Sequence, residues 1–159
     1  MEHQISIAEV IQLMLAPGLM ISACGLLLLG MNNKYSLVVN RVRLLNEERR
    51  KIITSTGDQE FDYHKNVRLE SISMQLSGLV MRVRLVKNAV LYYTIAVALF
   101  VLTSLAIGFQ YATSSGRLNT LVTLLFLLGM VSVLIGVLYA AYETKKGFDI
   151  IQVEVKADE

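Results

Sequence analysis

Three stretches of this chain carry no charged residue: Leu13–Met31, Ala89–Ala112 and Leu118–Tyr142. Each is apolar on every face and exceeds the ~18 residues that suffice to cross a bilayer core about 30 Å thick. None has the period-two alternation of a membrane strand. The segment between the first two, residues 32–88, instead mixes apolar and charged positions at helical spacing. In YSLVVNRVRLLNEERRKIIT, Val38, Val42, Leu45 and Ile52 share a stripe that only Arg49 breaks, which predicts a helix from Tyr35 to Thr54. Further on, Leu69, Ile72, Leu76, Leu79, Val83 and Val86 recur at alternating steps of three and four, the spacing of a coiled-coil seam. The same phase runs on through Val90, Tyr93, Val97, Phe100, Ser104, Ile107 and Tyr111, where the remaining faces turn apolar as well. One helix is therefore predicted to start in water near Glu60 and end in lipid near Ala112. It holds no Pro, and its only glycines are Gly78 and Gly108. At 1.5 Å per residue it would be roughly 80 Å long.

Ser55-Thr56-Gly57-Asp58 separates the two charged helices. Gly57 suits the position after a helix end and Asp58 the cap of the next, with Glu60 and Asp62 in its first turn. The pattern predicts an all-α membrane protein. Three transmembrane helices carry a cytoplasmic antiparallel helical hairpin between the first and second spans, and the second hairpin helix is continuous with the second span. The expected divisions are 1–31 (N-terminal segment and first span), 32–88 (hairpin), 89–142 (second and third spans) and 143–159 (cytoplasmic tail). Lys145-Lys146 is expected to stop the third helix, and the sequence does not choose a structure for the tail beyond it.

Composition agrees: 54% of residues are hydrophobic and mean hydropathy is +0.53, against about 45–50% apolar in soluble domains. The net charge of +2 says little, but its distribution says more. Eleven of the fifteen Lys and Arg lie between Asn32 and Asn88, one lies at Arg117 and none precedes Leu13. The positive-inside bias then places residues 32–88 and the C-terminus in the cytoplasm and the N-terminus outside. The basic segment is interleaved with Glu47, Glu48, Asp58, Glu60, Asp62 and Glu70 and has no aromatic platform, which argues against nucleic acid as a partner.

Within the spans, small residues mark expected sites of close helix packing: Gly18, Ser22 and Gly25 on the first, and Gly129, Ser132, Gly136 and Ala140 on the third. Pro17-Gly18 interrupts the first span and is a candidate hinge, although a packing kink is the simpler expectation. Arg82, Arg84 and Lys87 stand just before the second span, placed to snorkel to the headgroups of the lipid bilayer, with a specific site for anionic lipids the alternative. The Leu69–Val86 stripe would be costly to leave in water, at about 1.5–3 kcal/mol per large side chain. It is expected to be covered by another copy, in a homo-oligomer, or by a protein partner, the alternative being that the first hairpin helix covers it alone.

Candidate chemistry is sparse. Ile21-Ser22-Ala23-Cys24 matches a lipoprotein cleavage box, but no basic residue precedes it and GLLLLGM follows, so Cys24 is expected to be a small apolar residue inside a helix. His64 lies one turn from Glu60, and His3 lies near the N-terminus; two ligands do not make a metal site. No phosphate-binding glycine loop and no triad is present, so neither a cofactor nor enzymatic activity is expected. The spans hold no Asp, Lys or Arg at mid-membrane, which argues against an ion-coupled carrier.

The stretch LMLAPGLMISACGLLLLGMNNKYSLVVNRVRLLNEERR resembles a family of small bacterial inner-membrane proteins catalogued as a domain of unknown function. The resemblance is most specific at Ala16-Pro17-Gly18, Arg41, Arg43, Leu44, Leu45, Glu47 and Arg49. It implies one N-terminal span, a cytoplasmic helical pair and two C-terminal spans, in the bacterial inner membrane, and it brings no activity with it. The function expected from the residues is that of a non-enzymatic oligomeric scaffold or regulatory subunit acting through the hairpin. A small homo-oligomeric channel lined by hydroxyls such as Ser22, Thr103, Ser104 and Ser132, and gated through the long helix, is the alternative.

Overall fold

The computed structural model describes residues 7–54, 63–113 and 119–157, all of them helical. Helix α1 spans Ile7–Thr54, α2 spans Tyr63–Thr113 and α3 spans Asn119–Ala157. All three are long and apolar enough to cross a membrane, which makes the chain a multi-pass membrane protein. Residues 55–62, where the turn between the two charged helices is expected, residues 114–118, His3 and the side chain of His64 lie outside what the structure describes.

Three expectations about helix ends are corrected. Helix α1 runs through Pro17, so the proline does not interrupt it. Nor does a new helix begin at Tyr35: the polar Asn32-Asn33-Lys34 are simply turns of the same α1, with α1 in both its apolar and charged parts. Helix α3 does not stop at Lys145-Lys146 but continues to Ala157. Lysine has good helix propensity and blocks no backbone bond, so a pair of lysines marks a change of solvent and not a helix end.

Burial follows a seven-residue period. On α1 the buried residues are Pro17, Cys24, Met31, Val38 and Leu45, each seven after the last. On α2 they are Ile72, Val86, Tyr93 and Phe100 in one register and Ala89, Ala96 and Thr103 in another three residues on. On α3, Gly129, Gly136 and Glu143 repeat at seven, with Ser132 and Gly147 beside them. A repeat of 3.5 residues per turn keeps one narrow face of a long helix turned toward its neighbours.

The predicted seam on α2 is the inward face: Leu69, Leu76, Leu79 and Val83 are half-buried and Ile72 and Val86 buried, whereas its last member, Tyr111, is exposed. Deeper in the apolar part, the second register falls one residue earlier than the large side chains indicated. Ala89, Ala96 and Thr103 are buried where Val90, Val97 and Ser104 are half-buried. Small side chains let helices approach closely, and in lipid this selects the interface where hydrophobicity alone cannot.

The helices build two compact units. One comprises Met1–Met31 with Asn88–Leu138, the other Asn32–Lys87 with Tyr139–Glu159. In the first, Cys24, Ala96 and Phe100 form the centre, flanked by Met20, Ile21, Val97, Phe126 and Val133. The Phe100 and Phe126 rings lie 5.5 Å apart at 58°, a tilted pairing favoured by aromatic quadrupoles. A Cβ built on Gly136 would lie 2.7 Å from Tyr93 Cε1, and one on Gly129 would lie 2.7 Å from Phe100 Cε1. Each ring therefore fills the place a side chain would occupy. Advancing seven residues on α2 retreats seven on α3, so the two helices are antiparallel here. Ser132 adds a hydrogen bond from its Oγ to the carbonyl of Tyr92 at 2.8 Å, joining α3 to α2.

Candidate functional site: one carboxylate shared by three helices

In the second unit the charged groups are organised around Glu143. Its seven-residue phase on α3 is that of Gly129 and Gly136, so it faces inward, and it is 1% exposed. Arg82 of α2 donates from Nε at 3.1 Å and from Nη2 at 2.8 Å to Oε1. Lys34 of α1 donates from Nζ to Oε2 at 3.1 Å. The same ammonium donates to Thr144 Oγ1 at 3.0 Å, and that hydroxyl donates to the carbonyl of Ala140 at 3.0 Å. Each helix thus supplies one member of a single cluster. A Cβ on Gly147 would lie 3.0 Å from Arg82 Nη2, so Gly147 leaves room for the guanidinium rather than ending a helix.

Withdrawing a carboxylate from water is expensive, and the loss is offset only when every lone pair finds a partner. Here three charge-assisted hydrogen bonds reach the two oxygens. The cations keep more water: the side chain of Lys34 is 45% exposed and that of Arg82 25%. Two positive charges against one negative leave the cluster with a surplus that faces outward through Lys34. Both carboxylate oxygens are occupied, so Glu143 is placed to hold helices and not to take a proton from a ligand. A second pair, Arg68 to Glu48, joins α2 to α1 at 2.9 Å through Nε and 2.7 Å through Nη2. It is exposed, and such pairs contribute about 0–1 kcal/mol.

The structure separates the residues singled out in the sequence. Of the basic trio before the second span, Arg82 is bonded to Glu143, whereas Arg84 and Lys87 are exposed. Gly129, Ser132 and Gly136 are buried at the α2–α3 contact and Ala140 is half-buried. Gly18, Ser22 and Gly25 are exposed, with nothing within 4 Å of a Cβ built on either glycine. They lie beside the buried row of Pro17 and Cys24 rather than on it. The four hydroxyls considered for a pore all donate to backbone carbonyls: Ser22 to Gly18, Thr103 to Leu99, Ser104 to Phe100 and Ser132 to Tyr92. Thr103 and Ser132 are also buried.

The hydropathy pattern does not mark Glu143 or Lys34, yet the sequence carries a signal for Glu143. Glu143 is the sole acidic residue between Glu70 and Asp149, and it falls one heptad beyond Gly129 and Gly136. An acid on a close-packing face needs a cation from a neighbouring helix. Among the described residues, no three His, Cys, Asp or Glu side chains are grouped to hold a metal ion. A shallow depression beside Asn33, Ser36, Leu37 and Asn40 is walled by α1 alone and presents no charge.

No curated protein and no solved structure was found to match the chain. The match is to a family: residues 14–153 fit the one described as protein of unknown function (DUF2721), and the chain belongs to that family.

Proposed function

We propose that the protein is a non-enzymatic membrane scaffold, or the regulatory subunit of a membrane assembly, that self-associates along the outward face of α2. The carrying observation is a row of large apolar side chains in the most highly charged part of the chain. Val67, Met74 and Met81 stand seven residues apart and are 48%, 65% and 51% exposed. Leu37 and Leu44 on α1 are similarly placed, at 71% and 53%. The inward seam through Ile72 and Val86 is covered within one chain, so the need for a partner moves to this outer row. Removing it from water contributes roughly 25 cal/mol per Å² of apolar surface.

A second copy fits the row better than an unrelated partner. The same phase continues to Ile95, Leu102 and Phe109, all exposed. Another α2 in the same bilayer runs parallel and passes from water to lipid at the same height, so like positions meet along its length. Methionine at two of the contacts adapts readily to such packing. The exposed Arg41, Arg43, Glu47, Arg49 and Arg50 then remain available to a protein partner.

The family resemblance supports a bacterial inner-membrane setting, and the charge bias supports residues 32–88 in the cytoplasm and the N-terminus outside. The Arg68–Glu48 pair supports an antiparallel hairpin of the charged parts of α1 and α2. A channel is less well supported, because the hydroxyls that would line it are bonded to the backbone and two are buried. The oligomeric state of the full chain in nanodiscs tests the proposal. A small discrete oligomer is expected; a ring of four or more with an axial gap would favour the channel, and a monomer without partner would remove the scaffold.

A further inference from the structure

We infer that Lys34 and Arg82, bonded to Glu143, form with Lys146 one turn further along α3 a binding site for the phosphate of an anionic lipid headgroup. Three features of the second unit converge on this. The first is the charge surplus. Glu143 accepts from both Arg82 and Lys34, so the bonded cluster holds two cations against one acid. The second is where the surplus faces. Glu143 is shielded at 1%, but Lys34 is 45% exposed and has spent two of its three N–H groups, on Glu143 and Thr144. The Nη1 of Arg82 carries none of the bonds to Glu143, which come from Nε and Nη2. Lys146 is half-buried one turn beyond Glu143, on the same side of α3. The third is depth. Lys34 follows the charge-free run ending at Met31, Lys87 precedes the run beginning at Ala89, and Glu143 follows the run ending at Tyr142. Lys34, Lys87 and Glu143 thus stand in sequence at the ends of the charge-free runs, the level at which phosphates of the adjoining leaflet lie.

The carboxylate gives the site more than attraction. It fixes an ammonium on α1 and a guanidinium on α2 at defined positions, so that two cations are ordered before an anion arrives. A freely snorkelling lysine such as Lys87 has the same charge but no such anchor. The occupant is a phospholipid and not a soluble anion, because a phosphate tethered to acyl chains is delivered at that depth.

The test uses the full chain in detergent, titrated with phosphatidylglycerol or with phosphatidylcholine of identical acyl chains, and bound lipid is counted by native mass spectrometry. Retention of phosphatidylglycerol at least about fivefold above phosphatidylcholine is expected. Lys34→Gln should lower it about fivefold, Lys87→Gln less than twofold, and Lys34→Arg should restore most of the loss. Lys146→Gln, which leaves the ion pairs of Glu143 intact, should also weaken it and serves where Lys34→Gln does not fold. Equal losses for Lys34→Gln and Lys87→Gln would reduce the effect to general electrostatic adsorption and overturn the site. So would an absence of headgroup preference in the unmodified chain. Displacement by millimolar inorganic phosphate would assign the cluster to a soluble anion and overturn the lipid.

Discussion

Arg82 and Glu143, 61 residues apart in sequence, meet through two hydrogen bonds from one guanidinium to one carboxylate oxygen. Lys34 closes the other oxygen, so a single acid on α3 ties α1 and α2. Removing the acid strands two cations, whereas removing one cation leaves the other.

Glu143→Ala should therefore destabilise the chain by about 1–3 kcal/mol. That is below the ~3–5 kcal/mol typical of breaking a fully buried pair, because Lys34 and Arg82 can rehydrate. Arg82→Lys should cost more than charge conservation implies, since an ammonium cannot reproduce the Nε and Nη2 geometry. Thermal unfolding in detergent, followed by helical circular dichroism, checks both. Equal stability of Glu143→Ala and the unmodified chain would mean that the cluster holds nothing together.

Gly136→Ala should be disruptive although alanine is the better helix former. The new Cβ would sit 2.7 Å from the ring of Tyr93, which is 1% exposed and cannot turn aside. Overpacking of this kind costs about 1–3 kcal/mol. Gly18→Ala, with open space around it, should be neutral or slightly stabilising. Comparing the two melting transitions separates a packing glycine from an unpacked one; similar shifts for both would contradict the α2–α3 contact.

Ser132→Ala deletes an interhelical hydrogen bond but leaves its carbonyl partner bonded along its own helix. A loss of about 0.6 kcal/mol is expected, the average for such bonds in membrane helices. A loss above ~2 kcal/mol would show that Ser132 does more than bond Tyr92.

How much of this was legible depends on the solvent each residue meets. In the charged segment, water distinguishes faces, and the three–four spacing from Leu69 to Val86 picks out the inward side of α2. Where lipid surrounds the helix, apolar side chains are equally content on either side, so Val90 and Val97 read like the seam while Ala89 and Ala96 occupy it. Three long apolar helices were plain from charge-free length. Their ends were not, because Pro17, Asn32-Asn33-Lys34 and Lys145-Lys146 look like boundaries but leave the backbone bonding of a helix able to continue. Glu143 is hard to read from sequence because it adjoins the last apolar run and resembles an ordinary first residue in water. Its heptad relation to Gly129 and Gly136 was the signal that it turns inward.

The central functional proposal is that copies meet along Val67, Met74 and Met81, and a single cysteine tests it most directly. In a Cys24→Ala background, Met74→Cys is oxidised in native membranes and compared with Ser73→Cys, exposed but about 100° around the helix. Parallel copies of α2 predict a disulfide-linked dimer at position 74 in high yield and little at 73. Equal, slow crosslinking at both positions, or none at either, would contradict self-association through this face.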